Sequence, residues 1–88
     1  MKNHYFIERT DTFGGEANYC WANRFIVRAS SPRGAMRRVT ARTGDKVRVV
    51  GTDRWDAVGA CICYLVEWID ADDVAWYQAN YSRIEVIK

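Results

Sequence analysis

SPRGAMRRVTARTG, residues 31–44, decides how this chain of 88 residues folds. Ser31 has the side-chain oxygen that an N-cap needs, and Pro32 suits the first helical position, where no backbone N–H requires a partner. Gly44 can take the left-handed conformation that ends a helix. Between these signals Ala35, Met36 and Val39 recur at helical spacing and form a core stripe. Arg33 and Arg37 fall on the opposite side, four residues apart, with Arg38 and Arg42 flanking them. A helix is therefore expected over residues 32–43. It carries four arginines and no carboxylate, so no ion pair within the helix accounts for them.

Strand patterns surround the helix. Asn3 to Arg9 alternates Tyr5 and Ile7 against His4, Phe6 and Glu8, and reads as a strand with one face well buried. DTFGGEAN, residues 11–18, has the punctuation of a turn, with Gly14 and Gly15 able to adopt positive φ. A second strand, from about Tyr19 to Ala29, completes a hairpin. Trp21, Phe25, Val27 and Ala29 share one parity on it; Arg24 and Arg28 share the other. After the helix, Lys46 to Val50 reads as a strand with Val47 and Val49 inward and Arg48 outward. Residues 52–56 read as a polar connection that carries Trp55.

VGACICYLVEWI, residues 58–69, is the strongest strand signal in the chain. It is apolar at both parities from Ala60 to Val66, as expected of a central strand covered on both faces. One helix covers only one face, so another subunit, in a homo-oligomer, is the expected cover, and residues 70–81 folding over the second face is the alternative for a monomer. Asp70 to Tyr81 has room for one short helix begun at Asp70 or Asp72, and Arg83 to Ile87 reads as a last strand. The expected fold class is α+β: an antiparallel sheet of about four to five strands with one main helix on one face, in the order β-β-α-β-β-β. Residues 1–88 form a single domain on this reading. Trp21, Phe25, Val27, Met36, Val39, Val47, Val49, Ile62, Tyr64 and Val66 are its expected core.

Apolar residues make up 49% of the chain and aromatic residues 14%, which excludes a disordered segment and is enough for a packed core. Trp21, Trp55, Trp68 and Trp76 are expected mostly inside. Three cysteines, an odd number, argue against a fully paired disulfide framework. Cys61 and Cys63 would point to one face of a strand, and buried free thiols fit a reducing cytoplasm, the expected location. The opening MKNHYFIERT turns polar before any signal-peptide core develops. The longest apolar run, Val58 to Val66, is far short of a membrane span, so no membrane partner is expected.

Charge is unevenly spread. Residues 24–54 hold nine basic residues against Asp45 and Asp53, a net of +7, whereas residues 55–88 hold two basic residues against six acidic ones, a net of −4. Such polarity selects a partner of one charge. The arginine helix is the main candidate site: Arg33, Arg37, Arg38 and Arg42, extended by Arg24 and Arg28 on the second strand and Arg48 on the third. Trp55 and Trp76 are the candidate aromatic anchors. Three readings stand beside one another: a solvated face, an acidic or nucleic-acid-mimicking protein surface, and nucleic acid itself. The chain contains no helix-turn-helix, no glycine-aromatic RNA signature and no zinc finger.

Catalytic and metal readings are weaker. DTFGGEAN lacks the lysine and Ser/Thr of a phosphate loop, and Asp11 and Glu16 read as surface or interface charges. His4 is the only histidine, and Cys61 and Cys63 lie in the most apolar segment, where burial suppresses the thiolate. Cys20 is the third thiol, and Cys-x-Cys is not a structural zinc spacing. Asp70, Asp72 and Asp73 lack the glycine and distant glutamate of a calcium loop and read as helix-capping residues. No enzyme activity, cofactor, metal or disulfide is expected.

With DTFGGEANYCW at 11–21, RGAMRR at 33–38 and GACIC at 59–63, the chain resembles small proteins encoded by phages and prophages, which bring no assigned activity or site residues. In size and β-β-α-β architecture it is similar to anti-CRISPR inhibitors. That resemblance implies a non-catalytic inhibitor in the host cytoplasm that occupies a surface of a host defence complex, and no residue is carried over from it. The alternatives are a small nucleic-acid-binding accessory protein using the basic helix face, and a subunit of a symmetric oligomer.

Overall fold

The computed structural model describes residues 2–11 and 22–87. In chain order the elements are β1 (Lys2–Asp11), β2 (Ala22–Arg28), α1 (Pro32–Thr43), β3 (Val47–Val49), β4 (Arg54–Ala57), β5 (Ile62–Asp70), α2 (Val74–Asn80) and β6 (Ile84–Ile87). A turn of 3-10 helix, Ala71–Asp73, leads into α2. The strands form one sheet of six in the order β3-β4-β5-β1-β2-β6. The DTFGGEAN turn beyond Asp11, with Cys20 and Trp21, lies outside the described residues.

The local signals of α1 are realised. Ser31 Oγ accepts a hydrogen bond from the Gly34 N–H at 3.0 Å, and Gly44, at φ 81°, donates its N–H to the Thr40 carbonyl at 2.7 Å. Ala35, Met36 and Val39 are buried against the sheet. Ser31→Ala removes the cap and is expected to cost about 1 kcal/mol. In a domain of this size that lowers the melting temperature by roughly 5 °C, to be read by circular dichroism, while Ser31→Asp retains the cap and most of the stability.

The sheet is mixed rather than antiparallel. β1 pairs antiparallel with β2 and with β5, and β3–β4–β5 continue antiparallel, but β6 lies parallel to β2. The cause is the connection: β5, running in the same direction as β2, passes through α2 across the sheet before β6 begins. A helical crossover returns a strand parallel, where a tight turn would return it antiparallel. β4 is a further correction. Trp55, expected within a polar connection over residues 52–56, is instead buried on a strand with Ala57, because alternation continues through RWDA.

Both faces of the sheet are covered. α1 packs on the layer of Tyr5, Ile7, Phe25, Val27, Tyr64, Val66, Trp55 and Ile87. On the other face Phe6, Ile26 and Ile69 are covered by Val74 and Tyr77 of α2, with Tyr81 and Ile84. The second cover therefore comes from the chain itself, and the argument for an oligomer loses its premise. The doubly covered strands are also different from the one expected. Tyr5, Phe6 and Ile7 on β1 and Phe25, Ile26 and Val27 on β2 are buried at both parities, whereas β5 exposes Leu65, Glu67 and Trp68. Residues 58–61 turn instead of extending, with Gly59 at φ 82°, which leaves Cys61 exposed and only Cys63 buried. Val49, expected inside, is 52% exposed on β3, a three-residue strand at the edge of the sheet. Val47 and Ile62 are half-buried at the rim of the core.

Candidate interaction face on the arginine helix

The structure divides the candidate arginines by partner. Arg24 Nε donates to Glu8 Oε2 at 3.0 Å, its guanidinium lies 5.4 Å from the centre of the Tyr81 ring, and it also reaches the Ser82 carbonyl. Arg42 is ion-paired with Glu85 of β6. Arg28, Arg33, Arg37, Arg38 and Arg48 are exposed, and their side chains have no hydrogen-bond or ion-pair partner among the described residues. Sheet parity separates them further. Phe25 and Val27 face α1, so Arg24 and Arg28 belong to the opposite layer. Arg48, in register with Asp56, also lies opposite the Val47–Ala57 and Val49–Trp55 pairs that share the α1 side.

What remains together is Arg33, Arg37 and Arg38 on the outer side of α1. Arg33 and Arg37 are one helical turn apart, about 6 Å between Cβ atoms. No acidic residue occupies the first turn, although the helix dipole favours one there. Arg33 thus stands where helix stability would prefer a carboxylate. Beside it lies an apolar groove between the start of α1 and the β3–β4 turn, lined by Pro32, Val49, Gly51 and the edge of Trp55. Trp55 is only 8% exposed, so it forms the wall of that groove and cannot insert into a partner. Trp76, 55% exposed, sits on α2, on the opposite face of the sheet.

Sequence reasoning missed Trp68, also 55% exposed, which stacks on Tyr5 at 6.2 Å with rings 6° from parallel. It missed as well the aromatic cluster beneath α2, where Phe6 meets Tyr77 at 4.7 Å and Tyr81 at 4.8 Å. The spacing of Val74, Tyr77 and Tyr81 is the signal that could have found it. The acids of residues 70–73 lie at the start of α2, with Asp72 and Asp73 exposed, and neither Asp70 nor Asp73 makes a side-chain cap. The basic helix and this acidic turn therefore belong to opposite layers.

A separate polar knot holds the end of α1. Gly44 reverses the chain and brings Asp45 to Arg9, whose Nε–H donates to Asp45 Oδ2 at 2.7 Å. The Tyr64 hydroxyl donates to the same oxygen at 2.6 Å and accepts from Arg9 at 3.1 Å and from Thr43 at 2.8 Å. Arg9 also bonds Asn23 at 3.0 Å, so β1, β2, β5 and α1 meet in one network. The Arg9 hydrogen bond holds the Asp45 carboxyl below its ordinary value against the opposing effect of burial, with help from Tyr64. Burial, and then the Asp45 hydrogen bond, push Tyr64 up to about 12. Asp45 is kept ionised and Tyr64 neutral, so neither is poised to exchange a proton near neutral pH.

His4 Nδ1 lies 2.8 Å from Asn3 Oδ1. No described helix is long and apolar enough to cross a membrane. Comparison with protein-family models, curated proteins and solved structures found no match to this chain.

Proposed function

We propose that this is a non-catalytic binding protein that docks the outer face of α1 onto an acidic surface of a protein partner, as a phage-encoded inhibitor that blocks a host defence complex. One observation supports the docking face above all: Arg33, Arg37 and Arg38 project from one helix without carboxylate partners among the described residues, whereas the half-buried Arg9 and Arg24 are paired. Unpaired arginines beside an apolar groove resemble a protein interface, where an apolar centre is bordered by charge. A phosphate backbone would make no use of Pro32 and Val49. The inhibitor role rests on the resemblance in size and architecture.

Arg33→Glu/Arg37→Glu tests this reading. Reversal replaces attraction with repulsion, so capture of the partner should weaken at least a hundredfold, within the range found for complementary charged interfaces. The fold should survive, because both residues are exposed and a carboxylate in the first turn of α1 would favour the helix dipole by about 0.5 kcal/mol. The measurement is capture of a bacterial host protein by wild type and variant, with and without nuclease, followed by affinity against salt. A nuclease-resistant protein lost on reversal supports the proposal. Capture that disappears with nuclease, and falls by roughly one power of salt per phosphate, replaces it with direct nucleic-acid binding. Capture untouched by reversal makes this a solvated face.

A further inference from the structure

A cavity of about 690 Å³ opens where β2 and β6 end, at the margin shared by the two layers. Ile26, Val74 and Val86 provide apolar lining, and Arg28 and Arg38 reach it from opposite sides of the sheet. Ile87, the last described residue of β6, pairs with Val27, and it lines the cavity together with the two arginines. A hydrogen bond from the Ala29 N–H to the Asn3 carbonyl, at 3.0 Å, holds the chain at the mouth. His4, half-buried, lies beside it.

The volume falls within the roughly 300–1,000 Å³ of small-molecule sites. Two guanidinium groups share the cavity without a carboxylate partner among the described residues, and their mutual repulsion is relieved by an anion between them. Arginine binds a carboxylate through two parallel N–H donors. An inorganic anion alone would leave the apolar lining uncovered, including Val86, which is 42% exposed. We propose that this cavity binds a small amphiphilic carboxylate, its headgroup between Arg28 and Arg38 and its apolar body over Val74 and Val86. This site shares Arg38 with the partner surface, and Arg28, on the other layer from the outer face of α1, belongs to the cavity alone.

The test is a titration of the ¹⁵N-labelled protein with decanoate, kept below its micelle concentration, followed through amide chemical shifts. Decanol, which has the tail without the charge, and acetate, which has the charge without the tail, are the comparisons. The expected result is saturable shifts at Arg28, Ala29, Val74 and Val86 with decanoate, and at least tenfold weaker binding of decanol and acetate. Arg28→Gln should weaken decanoate at least fivefold at an unchanged melting temperature while leaving partner capture intact. Arg28→Gln/Arg38→Gln should weaken it at least thirtyfold. Absence of saturable shifts, equal binding of decanol, or undiminished binding by the double variant overturns the proposal.

Discussion

Val39→Asp is expected to leave the chain largely unfolded at 25 °C. Val39 has no exposed surface and sits in the stripe with Ala35 and Met36 that seals α1 onto the sheet. The substitution removes an apolar contact and puts a carboxylate where no cation lies in the cluster to pair it. Taking a charge out of water without a partner costs several kcal/mol, and loss of the valine adds about 2. A domain of 88 residues has a total stability of roughly 4–13 kcal/mol, so the change consumes most of it. Val39→Ala should cost only about 2 kcal/mol, and Ala41→Asp, exposed on the same helix, under about 1. Circular dichroism and urea unfolding give the ranking. A Val39→Asp melting temperature within a few degrees of wild type would refute the packing of α1.

The contrast between α1 and its surroundings shows which information is local. Ser31, Pro32 and Gly44 act on backbone groups within four residues of themselves, so the limits of α1 are readable without the rest of the fold. The same holds for the inward stripe and for the outward Arg33 and Arg37. β4 is harder to read, because charged Arg54 and Asp56 mask the alternation of Trp55 and Ala57, and the Arg54–Asp56 ion pair at 2.9 Å that neutralises them needs the strand to exist first. α2 is harder still. It buries no residue fully, and its seven residues become a cover only once Phe6 and Ile26 present a second apolar layer. That layer is present in the opposite parity of the first two strands, where the stronger pattern of Tyr5 and Phe25 hides it.

The candidate site is legible as a composition and illegible as a set of pairs. Nine basic residues within 24–54 are plain from the chain, yet Arg24 meets Glu8 across the register of β1 and β2, and Arg42 meets Glu85 only because β6 returns beside β2. Parity is available in the sequence and decisive. Arg24 and Arg28 alternate with Phe25 and Val27, so a helix packed on the latter cannot share a face with the former. Trp55 and Trp76 fail as a pair of anchors for the same reason: one is inside the α1 layer and the other belongs to α2.

Asp45→Asn is expected to destabilise by about 2–3 kcal/mol at pH 7, the usual worth of hydrogen bonds to a charged group when the remaining partner stays half-buried. Arg9 and Asp45 are 18% and 17% exposed, so solvent does little to replace the lost carboxylate. Tyr64 loses its anionic acceptor in the same step. The effect depends on pH in a fixed direction. The folded state holds Asp45 below its ordinary pKa, mainly through Arg9, so its contribution is complete above about pH 4 and disappears as pH falls through the lower, folded value. Wild type should therefore lose stability in acid more steeply than Asp45→Asn, and the gap between them should narrow from pH 7 to about pH 2. At the alkaline end the sign reverses. Tyr64 and Tyr77 are both pushed up to about 12, so each contributes stability below pH 10 that is lost as pH rises toward 12. Tyr64→Phe removes one of these two losses and Tyr77→Phe the other, each flattening part of the alkaline decline. Urea midpoints across the pH range measure all of this. A gap between wild type and Asp45→Asn that stays constant from neutral pH into strong acid would show that the carboxylate charge does not hold the end of α1 to β1.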